Sequence, residues 1–181
     1  MTEAPIVYRN TVDAVVERLL VKGNKWTPRL EQELAAIGVR RHDPKDLPQE
    51  SWRRMLPLVA RELFPHASTH DAHRKLGAAV LTSFAETLVG KALFTTLRVI
   101  GVRRGLERMT KNFRVGNNFT DSTLTGAPGN DVELWVSDVN DVPEYIRGLM
   151  ETACAAAGGK DVQVEVLRFA PPAATYRIRW A

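Results

Sequence analysis

The spacing of apolar side chains changes once along these 181 residues, and that change limits the fold more than any motif does. Up to about residue 110 the apolar residues recur every three or four positions, and from about residue 130 they recur at every second one. A helix gathers positions i, i+3 and i+4 on one face, whereas a strand gathers alternate positions. The chain therefore reads as a single α+β domain over 1–181. An N-terminal helical lobe (10–110) packs on a sheet half (111–181), whose four-stranded antiparallel sheet has ββαββ order.

Local punctuation divides the first half. Val12, Val15, Val16, Leu19 and Leu20 form a stripe after Asn10 and Thr11, closed by Gly23-Asn24. Thr27-Pro28 is a cap followed by a proline at the first helical position, and Gly38 closes that short helix. Trp52, Met55, Leu56, Val59 and Leu63 make a third helix that Pro57 is expected to kink or to start late. Ser68-Thr69-His70-Asp71 is a capping box opening a long helix through Leu76, Val80, Phe84 and Leu88, which Gly90 interrupts. A further segment then runs to Gly101. Gly77, Ala78, Ala79, Ala85 and Gly90 would admit a neighbouring helix, or a second chain in a homodimer.

"KNFRVGNNFTDSTLT" (111–125) links the halves. Gly116-Asn117-Asn118 reads as a bend built from residues that accept positive φ; a phosphate loop is not supported, because no Lys-Ser/Thr follows. Val132, Leu134 and Val136 alternate with polar neighbours after the turn "GAPGN", giving a hairpin. Asp141-Val142-Pro143-Glu144 reads as a second capping box, for a helix through Tyr145, Ile146, Leu149, Met150 and Cys154 to Gly158. Strands around "APPAA" finish the sheet, with Tyr176, Ile178 and Trp180 on one side.

Composition narrows the function. A 44% hydrophobic, 25% charged chain is globular in type, and no apolar run reaches the roughly 18 residues of a membrane span, so a cytoplasmic location is expected. One cysteine excludes an internal disulfide and any multi-cysteine metal site. The net charge of +4 concentrates in Arg98, Arg103, Arg104, Arg108, Lys111 and Arg114, opposed locally only by Glu107. A helix would scatter these cations around its axis, so a solvated helix or a contact to a protein or acidic ligand is expected and nucleic acid is not. His66, His70 and His73 with Asp71 form the one cluster with metal-ligand chemistry, but they sit in a first helical turn where Asp71 complements the helix dipole. Cys154 lies among alanines as an inert core thiol. No nucleophile elbow, zincin or Walker pattern occurs, and no enzyme is expected.

The stretches "LFPHASTHDAHRKLGAAVLTSFAETLVGKAL", "RGLERMTKNFRVGNNFTDSTLTG", "VELWVSDVNDVPEYIRGLMETACAAAGG" and "ATYRIRW" resemble an uncharacterised, many-copy family of myxobacterial domains over nearly the whole chain. More remotely, the second half resembles the 4-vinyl-reductase-like small-ligand domain, the haem/nitric-oxide-binding domain and the Golgi tethering-complex subunits. That resemblance implies a non-catalytic sensory or adaptor module binding an apolar small molecule, an acyl chain or a protein partner. It brings no cofactor: the Tyr-x-Ser-x-Arg triad of the haem branch is missing, and residues 159–181 contain no cysteine. The pocket is expected among Phe84, Leu88, Phe94, Trp135, Tyr145 and Leu149. The alternative is a scaffold subunit pairing through the Gly/Ala-rich helix without a ligand.

Overall fold

The computed structural model describes residues 3–181. Strand β1 (Ile6–Val7) leads into helix α1 (Arg9–Asp13), which continues as a π-helical stretch over Ala14–Val21 and buries Val12, Val15, Val16 and Leu20. Helix α2 (Pro28–Ala35) starts where Thr27 accepts the Leu30 amide at 3.3 Å. Short β2 (Leu47–Pro48) pairs with β1 before α3 (Gln49–Leu63). Pro57 neither delays nor stops α3. It is exposed, so the carbonyl that it leaves without a helical donor lies where water can reach.

Helix α4 (Thr69–Ala85) is capped as its sequence predicts, Ser68 Oγ accepting from Asp71 N at 3.2 Å. Its end differs from expectation. Thr87 Oγ1 accepts from Gly90 N at 2.9 Å and starts α5 (Leu88–Glu107), bent 101° from α4. Gly90 thus lies inside the new helix, where a Cβ would fall 1.9 Å from the Phe84 carbonyl oxygen. Gly101, at φ 76°, is the true break in α5, and α6 (Met109–Phe113) follows.

The linking segment is pinned rather than bent through positive φ. None of Gly116, Asn117 and Asn118 has positive φ. Instead Asn118 Oδ1 accepts Ile6 N at 2.8 Å, Asn117 bridges to Val7, and Asn117 Oδ1 accepts the Phe119 and Thr120 amides. The asparagines serve as acceptors that tie the two halves of the chain together.

The sheet comprises β3 (Ser122–Thr125), β4 (Asp131–Val136), β5 (Gln163–Ala170) and β6 (Ala173–Arg179), antiparallel throughout in the order β3-β4-β6-β5. Val132 opposite Ile178, Leu134 opposite Tyr176 and Val136 opposite Ala174 form the buried face. Between the hairpins runs α7 (Pro143–Ala156). The capping box expected at Asp141 does not form. Val142 is the cap residue and makes no side-chain bond, Asn140 and Asp141 both have positive φ, and Asp138 Oδ1 accepts Asn140 N at 2.8 Å.

Helices α4 and α7 meet backbone to backbone. A Cβ on Gly77 would lie 2.0 Å from the Tyr145 carbonyl oxygen, and one on Gly148 would lie 1.9 Å from that of Arg74. The small residues of α4 therefore receive a helix of the same chain. One apolar cluster runs from Val12 and Leu56 through Leu76 and Met150 to Leu134 and Ile178, joining lobe and sheet.

Candidate functional site

Where α4, α5, α6 and α7 converge on the 116–120 segment, the core is incompletely filled, leaving a cavity of about 130 Å³. Val80 and Phe84 come from α4, Leu93 and Leu97 from α5, Met109 from α6, and Ile146, Leu149 and Ala153 from α7. The close α4–α7 crossing fixes one wall, and the sharp bend into α5 sets another. Among the described residues, no lysine, arginine, histidine, aspartate or glutamate lines it.

The polar groups on this wall are few. Asn112 donates to the Gly105 carbonyl at 3.1 Å, Asn117 is occupied with two amides, and Asn140 accepts from Gln49 at 3.3 Å. Tyr145 and Thr120 are different. They are 4% and 2% exposed, both line the cavity, and their hydroxyls have no hydrogen-bond partner among the described residues. Tyr145 packs edge-on to Trp52, with ring centroids 6.4 Å apart and planes 73° to each other. Burial raises the Tyr145 hydroxyl above the usual phenol range, so it stays protonated. The Cys154 thiol, also on the wall, is pushed up to about 12, chiefly by burial and then by Glu151, and remains a neutral thiol.

Of the six pocket residues expected from sequence, Phe84, Tyr145 and Leu149 lie on this wall. Leu88, Phe94 and Trp135 do not. Leu88 is the first residue of α5 rather than a continuation of α4, and it is 87% exposed. Phe94 is buried elsewhere on α5. Trp135 lies on the outer face of β4, opposite Thr123 and Thr175, and is 42% exposed. Trp52, whose amphipathic ring makes it a candidate cavity liner in the sequence, is on the wall, and Thr120 and Met109 are wall residues that sequence reasoning did not place in the pocket.

The basic residues do not converge. Arg98, Arg104, Arg108 and Lys111 are exposed along α5 and α6, Arg114 pairs with Asp121 at 2.7 Å, and Arg103 donates to the Ala127 and Gly129 carbonyls besides meeting Glu107 at 3.2 Å. The histidine cluster is likewise split: His66 and His70 are exposed, His73 is buried, and Asp71 pairs with Lys75 at 2.7 Å. A second polar group sits beside the cavity. Asp138, in the turn between β4 and α7, accepts from both Arg53 at 2.8 Å and Gln49 at 2.7 Å, clasping α3 to the sheet half.

A family model described as "Protein of unknown function (DUF2378)" matches residues 6–181. No curated protein matches the chain. Solved structures of the same fold include a doubly substituted variant of Tt H-NOX, with TM-score 0.69 at 14% identity, covering 96% of this chain and 94% of that one. The Fe(II) unliganded H-NOX protein from K. algicida has TM-score 0.66 at 10% identity, covering 96% of both chains. An oxygen-binding H-NOX domain related to soluble guanylate cyclases has TM-score 0.64 at 15% identity, covering 93% of this chain and 92% of that one. At such identities the likeness is one of fold.

Other solved structures of that fold address haem redox potential and haem distortion, and the residues here do not fit that group. The cavity volume of about 130 Å³ is well below the roughly 300–1,000 Å³ usual for cofactor and ligand pockets. No histidine stands on the wall to act as an axial ligand, the one thiol is held neutral, and no cation is present to meet two propionates.

Proposed function

Because the chain belongs to the family described as "Protein of unknown function (DUF2378)", a description that assigns no activity, we propose its function from the site itself. It is a non-catalytic sensor module that takes a small apolar molecule into the cavity between the helical lobe and α7. The observation that carries this reading is the wall: uncharged, largely apolar, and built from elements of both halves. Occupancy there bears on how the lobe and α7 sit together, and the Arg53–Asp138 clasp beside it is the contact through which a partner protein would sense the change. The structural neighbours, an oxygen-binding H-NOX domain among them, support a sensor fold.

The scaffold alternative draws less support. The small residue that best suits a pairing seam on α4, Gly77, already faces α7 of its own chain. Native mass spectrometry of the protein purified from its own host tests the sensor reading. A neutral adduct should be retained by the natural protein and lost in Ala153→Phe, which fills the cavity. A bare chain that also binds no small apolar probe overturns it.

A further inference from the structure

Two well-buried residues of the cavity wall whose hydroxyls bond no group among the described residues, Tyr145 and Thr120, carry the reading further. A buried hydroxyl without a partner is unfavourable, and most buried polar groups in proteins find one. Here Tyr145 and Thr120 are both more than nine-tenths buried and both line the same unfilled volume, and their hydroxyls bond no protein group yet are not among the fully enclosed unpartnered atoms of the described residues, which are Trp26 Nε1 and Arg53 Nε, so each is left open to the pocket. The volume itself, about 130 Å³, is close to that of a cavity of roughly 150 Å³ that admits benzene. Around it stand the rings of Trp52, Phe84, Phe113, Phe119 and Tyr145, which suit an aromatic guest approached edge to face.

Resting on the sensor reading above, we infer that the ligand is a neutral, single-ring-sized apolar compound carrying one hydroxyl, which the Tyr145 and Thr120 hydroxyls engage. Charge is excluded by the wall, since an anion or cation placed there would be buried without a counter-ion. The hydroxyl of the guest can both donate and accept, so it can serve two hydroxyls that differ in which of them gives the proton.

The test is titration of the full chain with three probes of one shape: p-cresol, toluene and benzoate. p-Cresol should bind roughly 2- to 12-fold more tightly than toluene, the factor expected for one net hydrogen bond, and benzoate should not bind at all. In Tyr145→Phe the preference for p-cresol should shrink while toluene affinity stays, which also shows that the cavity has formed. Thr120→Val provides the same comparison from the other hydroxyl. Equal affinities for p-cresol and toluene in the natural chain would overturn the inferred ligand class and leave the cavity site standing, as would a preference untouched by both substitutions. Failure of toluene and p-cresol alike removes the sensor reading as well.

Discussion

Substituting Gly148 by alanine tests the close α4–α7 crossing on which the cavity wall depends. The added methyl group would sit 1.9 Å from the Arg74 carbonyl oxygen, 2.9 Å from its carbon and 3.1 Å from the Ala78 nitrogen, all of them backbone atoms of α4. A helix backbone cannot yield locally, so relief requires the two helices to part by more than an ångström. A gap of that size forfeits up to about half of the dispersion energy between the facing atoms. Overpacking of this kind typically costs about 1–3 kcal/mol and occasionally more, against a helix-propensity gain of about 1 kcal/mol for replacing glycine. A net loss of about 1 kcal/mol is expected, which for a chain of this size lowers Tm by about 2–4 °C. Gly105→Ala is the control. Its methyl group meets only the end of the Leu97 side chain, at 3.0 Å, so it should be neutral or stabilising by up to about 1 kcal/mol. Calorimetry and urea denaturation of both variants decide the matter. Equal shifts in the two, or a Gly148→Ala variant as stable as the natural chain, would refute the backbone-contact argument.

Three further outcomes are expected. Arg53→Met should cost about 1–3 kcal/mol in urea unfolding, because it leaves the largely buried Asp138 carboxylate without its charged donor. Cys154, its thiol pushed up to about 12, should resist a disulfide reagent at pH 8 in the folded protein and react at once in denaturant; rapid labelling of the native form would contradict its burial. His73 has its pKa lowered by burial first and by His70 second, so the folded state holds it neutral more strongly than the unfolded chain does. Its contribution is therefore fully present above the unfolded value near 6.5 and is lost as pH falls below it. His73→Leu should flatten the slope of urea midpoint against pH between 5 and 7, whereas an unchanged slope would assign that dependence elsewhere.

Local signals are the part of this fold legible in sequence. Thr27-Pro28 and Ser68 to Asp71 announce helix starts because a cap needs only residues three positions apart, and the alternation from Val132 to Val136 announces a strand for a similar reason. Leu88 is misplaced because its apolar character extends the α4 stripe, while Thr87, a competing cap, is the stronger signal. Asp141 fails as a cap because Asp138 and Arg53 draw the turn into a different geometry, an interaction across 85 residues that no local pattern reveals. Trp135 could be excluded from the pocket by the strand period itself, since it alternates with the buried Leu134. Met109 and Thr120 reach the cavity only through tertiary packing, so their role becomes visible only when α6, α7 and the 116–120 segment are seen together.

The position of β6 between β4 and β5 has a bearing on how the protein is made. On the ribosome, β4 emerges with one flank unpaired and must wait for α7, β5 and the Pro171-Pro172 turn before its neighbour is synthesised. During that interval a nascent molecule exposes an open sheet margin bearing Val132, Leu134 and Val136, the kind of surface that recruits chaperones or pairs with another nascent molecule. Crowded translation of many copies would make that interval the time of greatest vulnerability in the life of the protein.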